Sequence, residues 1–328
     1  MKKRVISSVI ATAMILSLAA CSPKGNSGTD SSGSGADSWP TKDLTIVVPF
    51  NPGGDTDINA RLYTEALSEK LGVNVICQNV DGNGGATGAT QAYKAAADGN
   101  TILFYHTALV TNYVCGATDF GVDGFEISCI AGKNAGNVVC VNSSSPYNSL
   151  NELIEASKTE NITFAANAGA TTYWMGVLLN QAGANFNLVD MGGASERVSA
   201  LLGNQVTVIP NPVGTTQQYL DSGDFKALAL LEDERNSTYD DIPTAIEQGV
   251  DVSCPIYYFF AFPKGTDQEI VEKFAQAVKE INESEEYQEA LAQSGYAQDP
   301  YYEDSETASQ TLMQQQEDQQ AISDLLNS

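Results

Sequence analysis

One histidine, His106, is all that this chain contains. A His-Glu-x-x-His metal pair cannot be written with it, and a nucleophile has a single candidate base. There is no Gly-x-Ser-x-Gly elbow, and no two carboxylates stand out as an acid–base couple. Basic side chains are scarce too, 16 against 41 acids, for a net charge of −25. Nucleic acid is held by neutralising its phosphates, so that class of partner is excluded. Cysteine spacing fits no zinc site, and neither a metal nor a cofactor is expected. Long apolar runs are missing except for Val5 to Leu18, which is short for a membrane span.

That run identifies the N-terminus. Lys2, Lys3 and Arg4 precede it, and Leu18-Ala19-Ala20-Cys21 follows, as in the lipobox of bacterial lipoproteins. The expectation is a signal peptide over 1–20 and a lipid on Cys21, which anchors the protein on the outer side of a bacterial membrane. Cleavage would take three of the 16 basic side chains and no acid, leaving a charge of about −28. Ser22 to Ser38 is mostly Ser, Gly, Asn and Asp, too polar to fold. It reads as a tether holding the domain roughly 20–25 Å from the anchor, so residues 21–40 form a linker. Of the other five cysteines, Cys77 and Cys140 lie in apolar runs and read as small buried hydrophobes. Cys115 and Cys129 could pair across a loop.

Beyond the tether, short β-branched runs alternate with amphipathic stretches. This implies an α/β protein with largely parallel strands. Strands are expected at 44–48, 73–77, 101–105 and 138–141, with helices near 56–71 and 86–97. Ile58, Leu62, Ala66 and Leu67 are expected to line one face of the first helix. A second set of units has helices at 149–158, 171–182, 194–202 and 214–221, and strands at 162–166, 186–190, 205–209 and 226–231. The aromatic run Ile256 to Phe262 reads as a return to the first set. After it comes a helix with Ile270, Phe274, Ala277, Val278 and Ile281 on one stripe. The division expected is domain I over 41–141 and 256–328, with domain II, 142–255, inserted. The connections near 141–147 and 252–257 would form a hinge.

Two glycine-rich turns each lead from a strand into a helix: Asn51-Pro52-Gly53-Gly54 and Asp81 to Gly88. Bare backbone feeding a helix N-terminus offers N–H groups to an anion. The helix field is worth up to ~2 kcal/mol in a partly buried geometry, and each charge-assisted hydrogen bond about 1.5–3 kcal/mol. The second turn is not a dinucleotide fingerprint. Gly82 and Gly84 fit, but the next glycine falls at Gly88, and no Walker lysine follows.

Several segments together carry a family resemblance: WPTKDLTIVVPFNPGGDTDINARL, QNVDGNGGATGATQAYKAAADGNTILF, ITFAANAGATTYWMGVLL, VDMGGASERVSALLGNQV and FFAFPKGTDQEIVEKF. The chain resembles the substrate-binding proteins of tripartite tricarboxylate transporters, the Bug or TctC-like receptors. The resemblance implies a type II periplasmic-binding-protein fold, two α/β domains joined by a hinge with ligand in the interdomain cleft. It implies a non-catalytic, monomeric receptor that delivers a small organic carboxylate to large and small membrane subunits. Carried over by position, the first-domain contacts fall on Phe50, Asn51, Pro52, Gly53, Gly54 and Asp57. Gly84, Gly85, Thr87 and Thr107 complete that side. In the second domain they fall on Asn167, Ala168, Ala170 and Thr171, then on Gly193, Ala194, Ser195 and Asn211.

The chain departs from the family pattern at four places. Asp55 stands where a small residue is usual, Gly192 where a base is frequent, Trp174 where histidine is common and Thr207 where aspartate is common. An added acid and a missing base leave room for an amino acid, with its ammonium on Asp55 or Asp57. They also leave room for an aromatic carboxylate against Trp174. Asp55 in solvent and Trp174 in the core is the plain alternative. A ligand sensor for a membrane signalling partner, or an extracytoplasmic enzyme using His106, are the other functions the sequence leaves open.

Overall fold

The computed structural model describes residues 38–294 and 300–326. The signal, the lipobox and nearly all of the tether lie outside the described residues.

In chain order, β1 (Leu44–Val48), α1 (Asp55–Leu71), β2 (Val75–Asn79), α2 (Ala86–Tyr93), β3 (Thr101–His106), α3 (Ala108–Val114) and β4 (Phe125–Lys133) build the first lobe. The second lobe holds β5 (Asn137–Asn142), α4 (Leu150–Ser157), β6 (Thr163–Ala166), α5 (Thr171–Gln181), β7 (Asn187–Asp190), α6 (Ala194–Leu202), β8 (Val208–Pro212), α7 (Val213–Asp221) and β9 (Phe225–Leu230). The chain then returns to the first lobe through β10 (Tyr257–Pro263), α8 (Gln268–Asn282), α9 (Glu285–Gln293) and α10 (Ser305–Leu326).

Each lobe is a five-stranded sheet, ordered β2-β1-β3-β10-β4 in one and β7-β6-β8-β5-β9 in the other. In each sheet one strand runs against the rest. β10 is antiparallel to β3 and β4, and β5 is antiparallel to β8 and β9. These are the strands that follow a crossing between lobes. The first crossing is therefore residues 134–136, not 141–147. The apolar run at 138–141 pairs with Val208–Asn211 and belongs to the second sheet.

β10 explains why the aromatic run is central. Tyr258, Phe260 and Phe262 point to one face, packing with Ile46, Phe104 and Phe274. Phe259 and Ala261 point to the other, packing with Val47, Leu103 and Leu312. Helices cover both faces, so an alternating strand is apolar on both. α8 buries the expected stripe, Ile270, Phe274, Ala277, Val278 and Ile281. α1 buries the expected face only in part, fully at Leu67 alone. Its inner stripe is Thr56, Asn59, Ala60, Tyr63 and Leu67, while Ile58, Leu62 and Ala66 are half-buried. Tyr63 fastens this stripe to β4, its hydroxyl donating to the carbonyl of Ala131 at 2.7 Å.

Other expectations shift by a few residues. The strand expected at 73–77 is 75–79, the one at 205–209 is 208–212, and α2 ends at Tyr93. α3 and β4 had no counterpart in the sequence reading. The five described cysteines are free. Cys115 is exposed and Cys129 buried, so that pair does not form, and Cys77 is only half-buried.

At the crossings, Lys133 at the end of β4 lies 3.5 Å from Glu232, just past β9. Glu232 is buried, and its Oε1 has no partner among the described residues.

Candidate ligand-binding cleft

A cavity of about 400 Å³ opens between the two sheets. Loops at the C-terminal ends of β1, β2, β6 and β7 form its walls, the place where α/β sheets present ligand sites. Three helices aim their N-termini at it: α1 from Gly54, α5 from Ala170 and α6 from Gly193. None of these ends has a side-chain cap. By contrast α4, α8 and α9, whose starts lie off the cavity, are capped by Ser149, Asp267 and Ser284. First-turn N–H groups without a side-chain acceptor are what an anion needs.

Most of the residues carried over by position come together here. Phe50, Asn51, Pro52, Gly54 and Gly84 line the first-lobe wall. Asn167, Ala168, Ala170 and Thr171, then Gly193, Ala194 and Ser195, line the second. Six do not reach the cavity. The N–H of Gly53 donates to Asp57 at 2.9 Å. Asp57 is buried behind the loop and also accepts from Arg61 and Asn79. Burial works against its charge, but these hydrogen bonds prevail and hold its carboxyl below the usual range. Asp57 therefore shapes the turn and has no free oxygen for a ligand ammonium. Gly85 and Thr87 donate their N–H groups to the carbonyl of Gly82, inside their own turn. The Thr107 hydroxyl accepts from the Tyr257 N–H and ties β10 to β3. Asn211 stands behind the second-lobe wall.

Asn211 matters through Arg197, which the sequence reading missed. Arg197 lies in the first turns of α6 and is 4% exposed. Its Nε donates to Asn211 at 2.7 Å and its Nη1 to the carbonyl of Gly192 at 2.7 Å. No acid pairs with it within salt-bridge distance among the described residues. Burial lowers its pKa to about 10, with Asp55, Glu196 and Asp190 opposing, so it stays cationic at neutral pH. The base absent at Gly192 is thus supplied from one turn further along. A sequence signal existed: a cation near a helix N-terminus opposes the helix field.

Two further polar side chains line the cavity with no hydrogen-bond partner among the described residues. Asn137, 0% exposed at the start of β5, has neither its amide nitrogen nor its oxygen partnered. Thr171, 1% exposed at the start of α5, has an unpartnered hydroxyl. Leaving such a group unmet costs about 1–3 kcal/mol. Three such atoms on one cavity point to a polar occupant.

His106 forms part of the floor, stacked on Phe50 with ring centroids 5.2 Å apart. Its Nδ1 accepts from the Ala108 N–H at 3.1 Å, which leaves the proton on Nε2. Burial pushes its pKa down to about 4, against the pull of Asp55. It is a neutral hydrogen-bond donor rather than a base. Asp55 lines the cleft instead of facing solvent, whereas Trp174 is 4% exposed and packed in the core. Stacking of an aromatic acid on Trp174 is thereby ruled out. Thr207 pairs with Thr163 away from the cavity.

The lobes touch across the cleft. Asn112 on α3 donates to the carbonyl of Gly169 at 2.6 Å and to that of Gly84 at 3.2 Å. Gly84 has φ +62°, and a Cβ there would sit 2.6 Å from the Ala168 carbonyl oxygen. Only glycine permits so close an approach of the two walls.

Comparison with known proteins gives a consistent result. Residues 59–327 match the family model of the tripartite tricarboxylate transporter family receptor. Protein BugT of Bordetella pertussis is 30% identical over 271 residues, covering 79% of this chain and 82% of BugT. The solved periplasmic binding protein BugD superposes with a TM-score of 0.77 at 28% identity, over 87% of this chain and 97% of that one. MatC of Rhodopseudomonas palustris, solved with bound malate, has the same fold, with a TM-score of 0.78 at 24% identity over 87% and 100%.

Proposed function

This chain belongs to the tripartite tricarboxylate transporter receptor family, and from that premise we propose that it captures one small organic carboxylate outside the cytoplasm. The family consists of substrate-binding receptors, not enzymes. The receptor works as a monomer, held at the membrane by a lipid on Cys21, and delivers its ligand to the large and small membrane subunits of a transporter. The observation that carries this reading is Arg197, buried and in no ion pair among the described residues, on the same cavity as the unpartnered Asn137 and Thr171. A carboxylate on Arg197 has a charge-assisted partner in a site largely removed from water. It also meets the open N–H groups of α5 and α6. Malate bound by a protein of the same fold supports an acid as the ligand class.

Binding and closure are coupled, because the ligand touches both walls. An open form exposes one wall to solvent, and a ligand that bridges them favours the closed form by its differential contacts. The closed pair of lobes then offers the membrane subunits a surface that the open form lacks.

Calorimetric titration of the mature protein with dicarboxylates, tricarboxylates and amino acids tests the proposal. At least one acid is expected to bind, and Arg197→Met is expected to weaken it by roughly a hundredfold. Binding of a sugar or a metal chelate with no acid bound at all overturns the reading.

A further inference from the structure

Arg197 faces an opposite charge. Asp55, the first residue of α1, lines the other wall of the cavity. Its Oδ2 accepts from the Tyr258 hydroxyl at 2.6 Å, reaching out from β10. Its Oδ1 has no partner among the described residues.

An acid in a first helical turn has an ordinary explanation, the helix field. Asp57 shares that turn and accepts from the Gly53 N–H just before α1, whereas Asp55 accepts from no backbone N–H among the described residues. Tyr258 instead fixes it at the cavity. Among the acids near Arg197, Asp55 acts on it most strongly, ahead of Glu196 and Asp190. Yet the two do not close into an ion pair. Acid and guanidinium face each other with a space between them.

The other acids of the cavity are differently placed. Asp190, which accepts from the N–H groups of Ala168 and Gly192, and Asp81, which accepts from Asn51, are both exposed. Glu196 is exposed. Asp55 is the half-buried acid with an oxygen left for a ligand.

A plain carboxylate satisfies only the donors here. It leaves the Asn137 amide oxygen unmet and brings one acid against another. A ligand that also carries a protonated amine meets both demands. We propose that the cleft selects carboxylates bearing an ammonium group, amino-acid-type zwitterions, and that Asp55 is the specificity-determining residue. The carboxylate sits on Arg197 and Thr171, and the ammonium on Asp55 and the Asn137 amide oxygen. The inference rests on the receptor reading above.

Matched ligands isolate the amine. The pairs are L-aspartate and succinate, L-glutamate and glutarate, L-norleucine and hexanoate, and L-phenylalanine and 3-phenylpropanoate. Each is titrated into the wild-type protein, Asp55→Asn and Asp55→Ser, with thermal melts confirming the fold of both variants. In the pair that binds best, the amine-bearing member should be favoured by at least about tenfold. Both variants should cut that preference below about threefold, with affinity for the deaminated member unchanged or raised. Equal binding of the two members by the wild type overturns the selectivity and leaves the receptor reading standing. An equal loss for both members in the variants overturns Asp55 as the specificity-determining residue and leaves the receptor reading standing. Binding of no member of any pair overturns this inference, and the receptor reading falls with it only when the tricarboxylates are refused as well.

Discussion

Glu232 is a buried carboxyl that the folded protein prefers to keep protonated. Burial raises its pKa from 4.5 to about 7, and Lys133 at 3.5 Å only partly opposes this. Asp233 adds to the rise. The sign is fixed by linkage. The folded state holds a proton that the unfolded chain releases above about pH 4.5, so stability is lost as pH rises through 7. Glu232→Gln should therefore be no more stable than wild type at pH 4.5, and more stable by up to about 3 kcal/mol at pH 8. Denaturant melts of both proteins across that range measure the difference, and parallel pH profiles would refute it. The same scale shows what a one-dimensional reading misses. Asp55 and Asp57 are equivalent as letters, but one is engaged by Gly53, Arg61 and Asn79 while the other keeps a free oxygen at the cavity. Arg197 resembles any helix arginine until Asn211 and Gly192 are seen to hold it inward.

Helix ends differ in how their first N–H groups are met. α4 has a reciprocal cap: the Ser149 hydroxyl accepts from the Glu152 N–H at 3.1 Å, and the Glu152 carboxylate accepts from the Asn148 N–H at 2.8 Å. Nothing at that end needs a ligand. Ser149→Ala should lower stability by about 1 kcal/mol, with ligand affinity unchanged by calorimetry. Coupled loss of affinity would show that α4 reaches the cleft. The starts of α1, α5 and α6 have no side-chain cap and lie on the cavity, where an anion would supply the acceptor; α2, α3 and α7 also start without a side-chain cap. Most elements are legible in the sequence because their signals are local. Near-continuous β-branched or aromatic runs mark β1 and β10, and period-3.6 patterns mark α6 and α8. α3 and β4 escape, since Ala108–Val114 is apolar nearly throughout and Phe125–Lys133 interleaves Ser, Cys and Gly with its apolar residues.

At the scale of the molecule, function requires two lobes to meet. Gly84 is the test, because its missing side chain lets the Gly82–Gly85 turn touch the Ala168 carbonyl. Gly84→Ala places a methyl 2.6 Å from that oxygen, in a backbone conformation with φ +62°. The lobes should fail to close fully. Affinity for the acid should fall by at least about tenfold, and the ligand-induced decrease in radius of gyration by small-angle X-ray scattering should disappear. Full retention of both would show that the Gly84 contact plays no part in closure.

The chain's own letters determined the α/β alternation, the two glycine turns, the second-lobe loops at 167–171 and 193–195 and the family. Each is carried by a contiguous segment whose local physics is complete. Tertiary structure alone decided which sheet receives 138–141, which of two neighbouring acids faces the cavity, and that Arg197, Asn137 and Thr171 converge. Strand partners and the direction of a polar side chain depend on groups far apart in the chain. Burial and unmet hydrogen bonds, the properties that make these residues a site, exist only once the two sheets face each other.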